Sequence, residues 1–176
     1  MNIDLRLKVF SDDAKKMIKW LNNKKITKYL NEDPNTAYAL DDIISSGRAD
    51  LLTYYLNKNA KFFLIDTEEE KCVGFITLVE KKRINAYEIV VAIGEVRNWG
   101  KKIGYKAVSK ILNEVFFNFK IENVVSKIHV ENKRSIMLFN HLGFEKLCEK
   151  NNHYVYILNK DDYVKAILSK AKVCAL

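Results

Sequence analysis

Three apolar runs in succession, KFFLID, CVGFITLVE and AYEIVVAIG, fill residues 61–94, separated by the charged turn TEEEK and the polar connection KKRIN. Short runs rich in β-branched and aromatic residues, bounded by polar turns, predict three consecutive antiparallel strands. The period then changes. Gly104, Ala107, Val108, Ile111, Leu112, Val115 and Phe119 recur on one face and predict a long amphipathic helix.

The remaining segments read less sharply. Residues 3–10 alternate as a strand, and Ser11, Asp12 and Asp13 then cap a helix with Met17, Ile18 and Leu21 at helical spacing. NEDPN, with the only proline, interrupts the pattern before a second helical region over about residues 41–56. NVVSKIHV predicts another strand and KRSIMLFNHL a short helix ended by Gly143. Strands over 144–150 and 153–158 and a terminal helix from residue 161 complete the chain. Nothing resembles a linker between two cores, so residues 1–176 are expected to form a single domain.

Composition narrows the function classes. Hydrophobic residues make up 48% and charged residues 30%, enough to fill a core and cover a surface. The first ten residues lack a signal peptide's apolar stretch, and no run reaches membrane-spanning length; a soluble cytoplasmic protein without membrane partners is expected. Cys72, Cys148 and Cys174 are widely spaced without CxxC pairing and are read as reduced thiols. His129, His141 and His153 have no carboxylate or cysteine at ligand spacing, so no metal is expected. The net charge of +8 is spread along the chain and no nucleic-acid-binding motif accompanies it. No nucleic-acid partner is expected, and the same field would favour an anionic coenzyme.

Half of the six glycines, Gly94, Gly100 and Gly104, lie between the third strand of the meander and the long helix. A loop turning into a helix presents backbone N–H groups without intrahelical partners and the positive end of the helix dipole, an arrangement suited to phosphate. Gly100 can turn the chain with φ > 0, and Lys101 and Lys102 add charge. A glycine-eased helix start with solvated lysines is the plainer alternative. Neither GxGxxG nor GxxxxGK[ST] occurs, which disfavours dinucleotides and nucleoside triphosphates. Further on, Asn132, Ser135 and Phe139 share one helix face at i, i+3 and i+7, where they would line a groove. Singly they read as a cap, a first-turn residue and a core residue.

Together these segments resemble the GNAT superfamily. WGKKIG stands in the place of the family's R/Q-x-x-G-x-G/A coenzyme motif, and NKRSIMLFNHLGF looks like its downstream N-x-x-S/A…GF motif. The likeness covers residues 60–150 and is closest to the branch of ribosomal-protein N-terminal, polyamine and drug acetyltransferases. It implies an α+β fold: a mixed, mostly antiparallel sheet splayed at its centre and flanked by helices, with acetyl-CoA in the opening. Trp99, Gly100, Lys101, Lys102, Ile103, Gly104 and Tyr105 would hold the pyrophosphate, Ala92, Ile93 and Gly94 would meet the pantetheine arm and thioester, and Asn132 and Phe139 would flank the coenzyme. Lys102 departs from the family's glycine, implying a wider loop or an added phosphate contact, and Trp99 departs from Arg or Gln.

The implied reaction is direct attack of a primary amine on the thioester in a ternary complex. It needs a base for the amine, a polarised carbonyl and a proton for the thiolate. Glu88 resembles the glutamate that lysine acetyltransferases of the superfamily place ahead of this motif; a surface strand carboxylate is the alternative. Many members carry an acidic tyrosine where this chain has Phe139. Ser135 is then the candidate proton donor, with Tyr154 and Tyr156 as alternatives, and a backbone N–H near Ile93 the oxyanion donor. The acceptor carries no recognised signature. Trp20, Tyr29, Tyr38, Tyr54 and Tyr55 would line its pocket or fill core, and Glu32, Asp33, Asp41 and Asp42 would attract a cationic amine or cap helices. A homodimer is implied by the resemblance only. Competing readings are a coenzyme-binding regulator without turnover and a basic nucleic-acid-binding module.

Overall fold

The computed structural model describes residues 1–31 and 33–174. The chain runs β1 (Ile3–Arg6), α1 (Ser11–Leu21), α2 (Lys24–Thr27), α3 (Thr36–Ser45), α4 (Leu52–Asn57), β2 (Lys61–Thr67), β3 (Gly74–Lys81) and β4 (Ala86–Ile93). It continues through α5 (Ile103–Asn113), β5 (Asn123–His129), α6 (Lys133–His141), β6 (Glu145–Lys150), β7 (His153–Asn159) and α7 (Lys160–Cys174). Among the described residues the strands make one seven-stranded sheet in the order β1-β2-β3-β4-β5-β7-β6. β4 and β5 are parallel, whereas β1–β2, β2–β3, β5–β7 and β6–β7 are antiparallel. This is the α+β GNAT-type architecture that the motifs implied.

The chain divides into two compact units, Met1–Val79 with Ile89–Val108, and Glu80–Glu88 with Ser109–Leu176. In the first, Met17, Trp20, Leu40, Ile43 and Leu52 from the helices pack with Phe62, Leu64, Phe75 and Ala92 from the strands. Phe62 and Phe75 stack with ring centroids 5.5 Å apart. Each of the Leu, Ile, Phe and Met side chains contributes roughly 1.5–3 kcal/mol on burial. β1 is shorter than the expected 3–10. It stops at Arg6, whose guanidinium binds Asp13 and Asp66, and Val9 N–H then donates to Thr53 Oγ1 rather than to a strand.

The helical caps differ from expectation. Phe10, not Ser11, is the N-cap of α1, and Asp13 accepts from the Phe10 N–H at 2.9 Å as an N3 acid. The single helix expected over 41–56 is two: α3 ends at Ser45, and past its C-cap Gly47, φ +73°, donates its N–H to Ile44 O while Arg48 N–H bonds Ile43 O in a Schellman arrangement. A 3₁₀ turn, Ala49–Leu51, leads into α4. The four-residue α2 was not expected; Asn23 caps it by accepting from Lys25 N–H.

In the second unit β7 pairs β5 along its whole length, from Asn123↔Asn159 to His129↔His153, and β6 along its other side. The long helix expected through Phe119 loosens after Asn113 into a π turn, Glu114–Asn118. Phe116 meets Tyr163 at 5.0 Å, and the Tyr163 hydroxyl donates to Asn113 Oδ1 at 3.1 Å, which anchors the first turns of α7.

Candidate active site

The end of β4 in the first unit is held by two tryptophans. Gly94 N–H bonds Val73 O at 2.9 Å, and the Trp20 ring lies so close over Gly94 that a Cβ there would collide with it. Trp20 Nε1 in turn donates to Glu95 Oε1 at 3.1 Å. On the other side of the turn, Trp99 Nε1 donates to Ile93 O at 2.9 Å. Trp99, where the family usually has Arg or Gln, thus ties the loop back to the strand through its indole N–H. Gly74 completes the close packing, since a Cβ there would run into Ala92 O.

The turn itself has left-handed residues at two positions, Gly100 with φ +79° and Lys102 with φ +60°. The lysine therefore adopts the backbone conformation that glycine favours, at a cost of roughly 1–2 kcal/mol for an L-residue. α5 begins at Ile103 and Lys106 N–H reaches back to Lys102 O at 3.0 Å. The N–H groups of Ile103, Gly104 and Tyr105 precede that bond, as the first groups of a helix must. Lys101 and Lys102 are exposed, with Lys101 Nζ on Asn98 Oδ1 at 3.2 Å.

A polar network supports this turn, and its members carried no recognisable motif. Glu70 accepts from Arg97 Nη2 at 2.9 Å, Lys16 Nζ at 3.4 Å and Asn98 Nδ2 at 3.4 Å. Burial by itself pushes the Glu70 carboxyl up; the Asn98 hydrogen bond and the Arg97 and Lys16 charges outweigh it and hold the carboxyl below its usual value. Glu70, Arg97, Asn98 and Lys101 line an open cavity of about 390 Å³ that also reaches Met1 and Ile103.

The catalytic candidates and the downstream coenzyme candidates belong to the second unit. Glu88 is not a surface carboxylate: it is 4% exposed, and its Oε2 pairs with Lys81 Nζ at 2.7 Å and Lys127 Nζ at 3.4 Å. Asn132 caps α6 by accepting from Ser135 N–H at 3.3 Å, and both residues are half-buried. Phe139 is 2% exposed and meets Phe144 edge to face at 4.9 Å. Tyr156 is buried, and Lys146 Nζ sits 3.5 Å from the centroid of the Tyr154 ring.

The residues suggested for the acceptor separate. Trp20 is core, whereas Tyr38 and Tyr54 are 78% and 72% exposed on α3 and α4. Lys28 and Lys58 lie over the rings of Tyr29 and Tyr55. Asp41 and Asp42 are exposed inside α3 and cap nothing at its start; Asp33 accepts from Asn35 N–H ahead of it. Glu32 lies outside the described residues.

Comparison with known proteins bears on the family and the fold. Residues 4–145 match the model of the acetyltransferase (GNAT) domain. The chain is 25% identical over 145 residues to the uncharacterized N-acetyltransferase p20 of Bacillus licheniformis, covering 77% of this chain and 75% of that protein. A domain from Methanocaldococcus jannaschii superposes with TM-score 0.69 at 26% identity, covering 90% of this chain and 98% of that one. Spermidine N-acetyltransferase from Vibrio cholerae, solved with CoA and spermine, superposes with TM-score 0.70 at 17% identity over 92% of this chain and 98% of that one. The chain belongs to the GNAT acetyltransferase family and is an acyl-CoA-dependent acetyltransferase.

Proposed function

We propose that this chain moves the acetyl group of acetyl-CoA onto a primary amine by direct attack in a ternary complex. The observation that carries the reading is the turn before α5. Left-handed backbone at Gly100 and Lys102 leads into the N–H groups of Ile103, Gly104 and Tyr105, a donor set suited to the pyrophosphate of the coenzyme. Trp99, Lys101 and Lys102 complete that turn. Lys102 adopts the left-handed conformation that glycine favours, which supports reading its departure from the motif as an added cation for phosphate.

Backbone at Ala92, Ile93 and Gly94, stiffened by Trp20 and Trp99, would receive the pantetheine arm and thioester, with a backbone N–H near Ile93 as oxyanion donor. Asn132 and Phe139 would contribute coenzyme contacts, Asn132 while capping α6. Acetyl-CoA supplies an electrophilic carbonyl and a thiolate leaving group. Glu88 would take the proton that the attacking amine loses, and Ser135, Tyr154 or Tyr156 would return one to the thiolate. The same reading has the enzyme acting in the cytoplasm as a homodimer, without metal or nucleic acid. No helix among the described residues is long and apolar enough to cross a membrane.

Free-thiol release from acetyl-CoA, measured across polyamines, aminoglycosides, amino sugars and ribosomal-protein N-terminal peptides, tests this. Polyamines come first, because the Vibrio cholerae enzyme was solved with spermine. Turnover with one class is the expected result. Calorimetric binding of acetyl-CoA with no thiol release from any amine would favour the regulator, and no binding at all would remove the reading.

A further inference from the structure

Between Asp13 and Glu32 the chain carries Lys15, Lys16, Lys19, Lys24, Lys25 and Lys28 and no carboxylate. Lys15 pairs with Asp12 and Lys16 with Glu70. The other four are exposed, and among the described residues Lys19, Lys24 and Lys25 meet no carboxylate. Lys28 Nζ lies over the Tyr29 ring, 4.6 Å from its centroid.

α2 concentrates this charge. Lys28 N–H bonds Lys24 O at 3.0 Å, so the helical winding continues through Lys28 and sets Lys24 and Lys28 one turn apart on one face, with Lys25 beside them. Like charges at that spacing repel. A helix C-terminus favours cations, but neighbouring carboxylates, the ordinary relief for such repulsion, are missing from the whole segment.

Within the first unit this segment borders the end of β4. Trp20, in the last turn of α1, lies on Gly94 and bonds Glu95, and Asn23 N–H bonds Trp20 O at 3.0 Å just before α2 begins at Lys24. An acceptor whose amine meets a thioester there would pass the lysines that follow Trp20. Asp41 and Asp42, which would suit a polycation, lie on α3 and not on this segment.

We propose that the acceptor is an acidic peptide, whose free α-amine is acetylated while Lys19, Lys24, Lys25 and Lys28 hold the carboxylates that follow it. Lys24 and Lys28 stand about 6 Å apart along the helix axis, and side chains on one side of an extended peptide recur every 7 Å or so, about the same interval. The same lysines disfavour polyamines and aminoglycosides, which are polycations at neutral pH. An α-amine, with a pKa near ~8, also gives up its proton more easily than a lysine-like amine near ~10.4. This acceptor class rests on the amine-transfer reading above and narrows it to peptides.

Fluorescence anisotropy of peptides labelled at the carboxyl end, with the full chain saturated in CoA, tests the class without turnover. The probes are a short peptide with a free α-amine and glutamate at alternate positions, and the same peptide with glutamine there. The glutamate peptide is expected to bind roughly tenfold more tightly, an advantage that shrinks as salt rises. K24E/K25E is expected to remove the advantage and K24R/K25R to keep it, with circular dichroism and acetyl-CoA binding checking the fold of each variant. Thiol release from acetyl-CoA is expected to follow the same order, glutamate peptide first, glutamine peptide next and spermidine last. Equal binding of the two peptides overturns the proposal, as does an advantage that survives K24E/K25E or a higher kcat/KM for spermidine than for the glutamate peptide. Absence of thiol release from every amine removes the transfer reading alone, because the anisotropy comparison still decides whether these lysines take an acidic peptide.

Discussion

The indole ring of Trp20 occupies the space that a side chain at position 94 would need, and Trp20 is only 3% exposed, so it has nowhere to yield. Gly94→Ala is expected to lower stability by about 3 kcal/mol, the upper range for overpacking. Trp20→Leu in the same chain opens the space and should recover part of the Gly94→Ala loss relative to Trp20→Leu alone. Urea unfolding of the four proteins measures this coupling; purely additive costs would refute it.

Lys102 sits at φ +60° beside Gly100 at +79°. Lys102→Gly relieves the left-handed strain but adds chain entropy to the unfolded state, for a net gain of about 1 kcal/mol. Lys102→Val, β-branched in that region, is expected to lose stability. The glycine variant should also bind acetyl-CoA somewhat more weakly, having lost a cation, which separates the two contributions in calorimetry.

Arg6 bridges Asp13 at 2.8 Å and Asp66 at 3.0 Å, and the Asp66 side chain is 2% exposed. Burial alone would raise the Asp66 carboxyl; the Arg6 hydrogen bond, the Cys72 N–H and the Arg6 and Lys71 charges outweigh it and hold it below the usual carboxylate range. A depressed folded value means that this stabilisation is present in full above the unfolded value of about 3.9 and is lost as pH falls through the lower folded value. Asp66→Asn should cost about 3 kcal/mol at pH 7 and the difference from wild type should shrink through that acid window. Denaturation at a series of pH values shows whether it does.

Glu88 pairs with two lysines that are themselves 36% and 48% exposed and can return to water. Glu88→Gln is therefore expected to cost about 1 kcal/mol in stability, yet to slow thiol release roughly 10²–10⁴-fold, the usual size of a general-base contribution. An unchanged kcat with the best amine would leave Glu88 a structural acid and pass the proton to a water chain.

Strands and long helices were legible because their periods are local. The runs at 61–94 and the face from Gly104 to Leu112 needed only neighbours a few residues away, and β2, β3, β4 and α5 lie where those patterns fall. Gly47 also carried its signal, a glycine after an apolar helical face, and the break in the expected 41–56 helix follows from it. The motifs around Gly100 and Asn132 were readable for the same reason, as short strings at fixed spacing.

What stayed hidden depends on partners far along the chain. Lys102 gives no sign of its left-handed backbone, because that conformation is imposed by the turn and not preferred by lysine. Trp20 meets Glu95 across 75 positions, and Glu70 gathers Lys16, Arg97 and Asn98 from both directions. Alternation left Glu88 facing either cleft or solvent; burial and the two lysines emerged only with the fold. The sequence by itself determined most of the elements, their order and the family motifs, since those arise from short-range pattern, while the short α2 and the split of the 41–56 helix were not expected from it. Tertiary structure alone decided which carboxylates are buried and which side chains hold the end of β4, because charge and close packing act between groups that only the folded chain brings together.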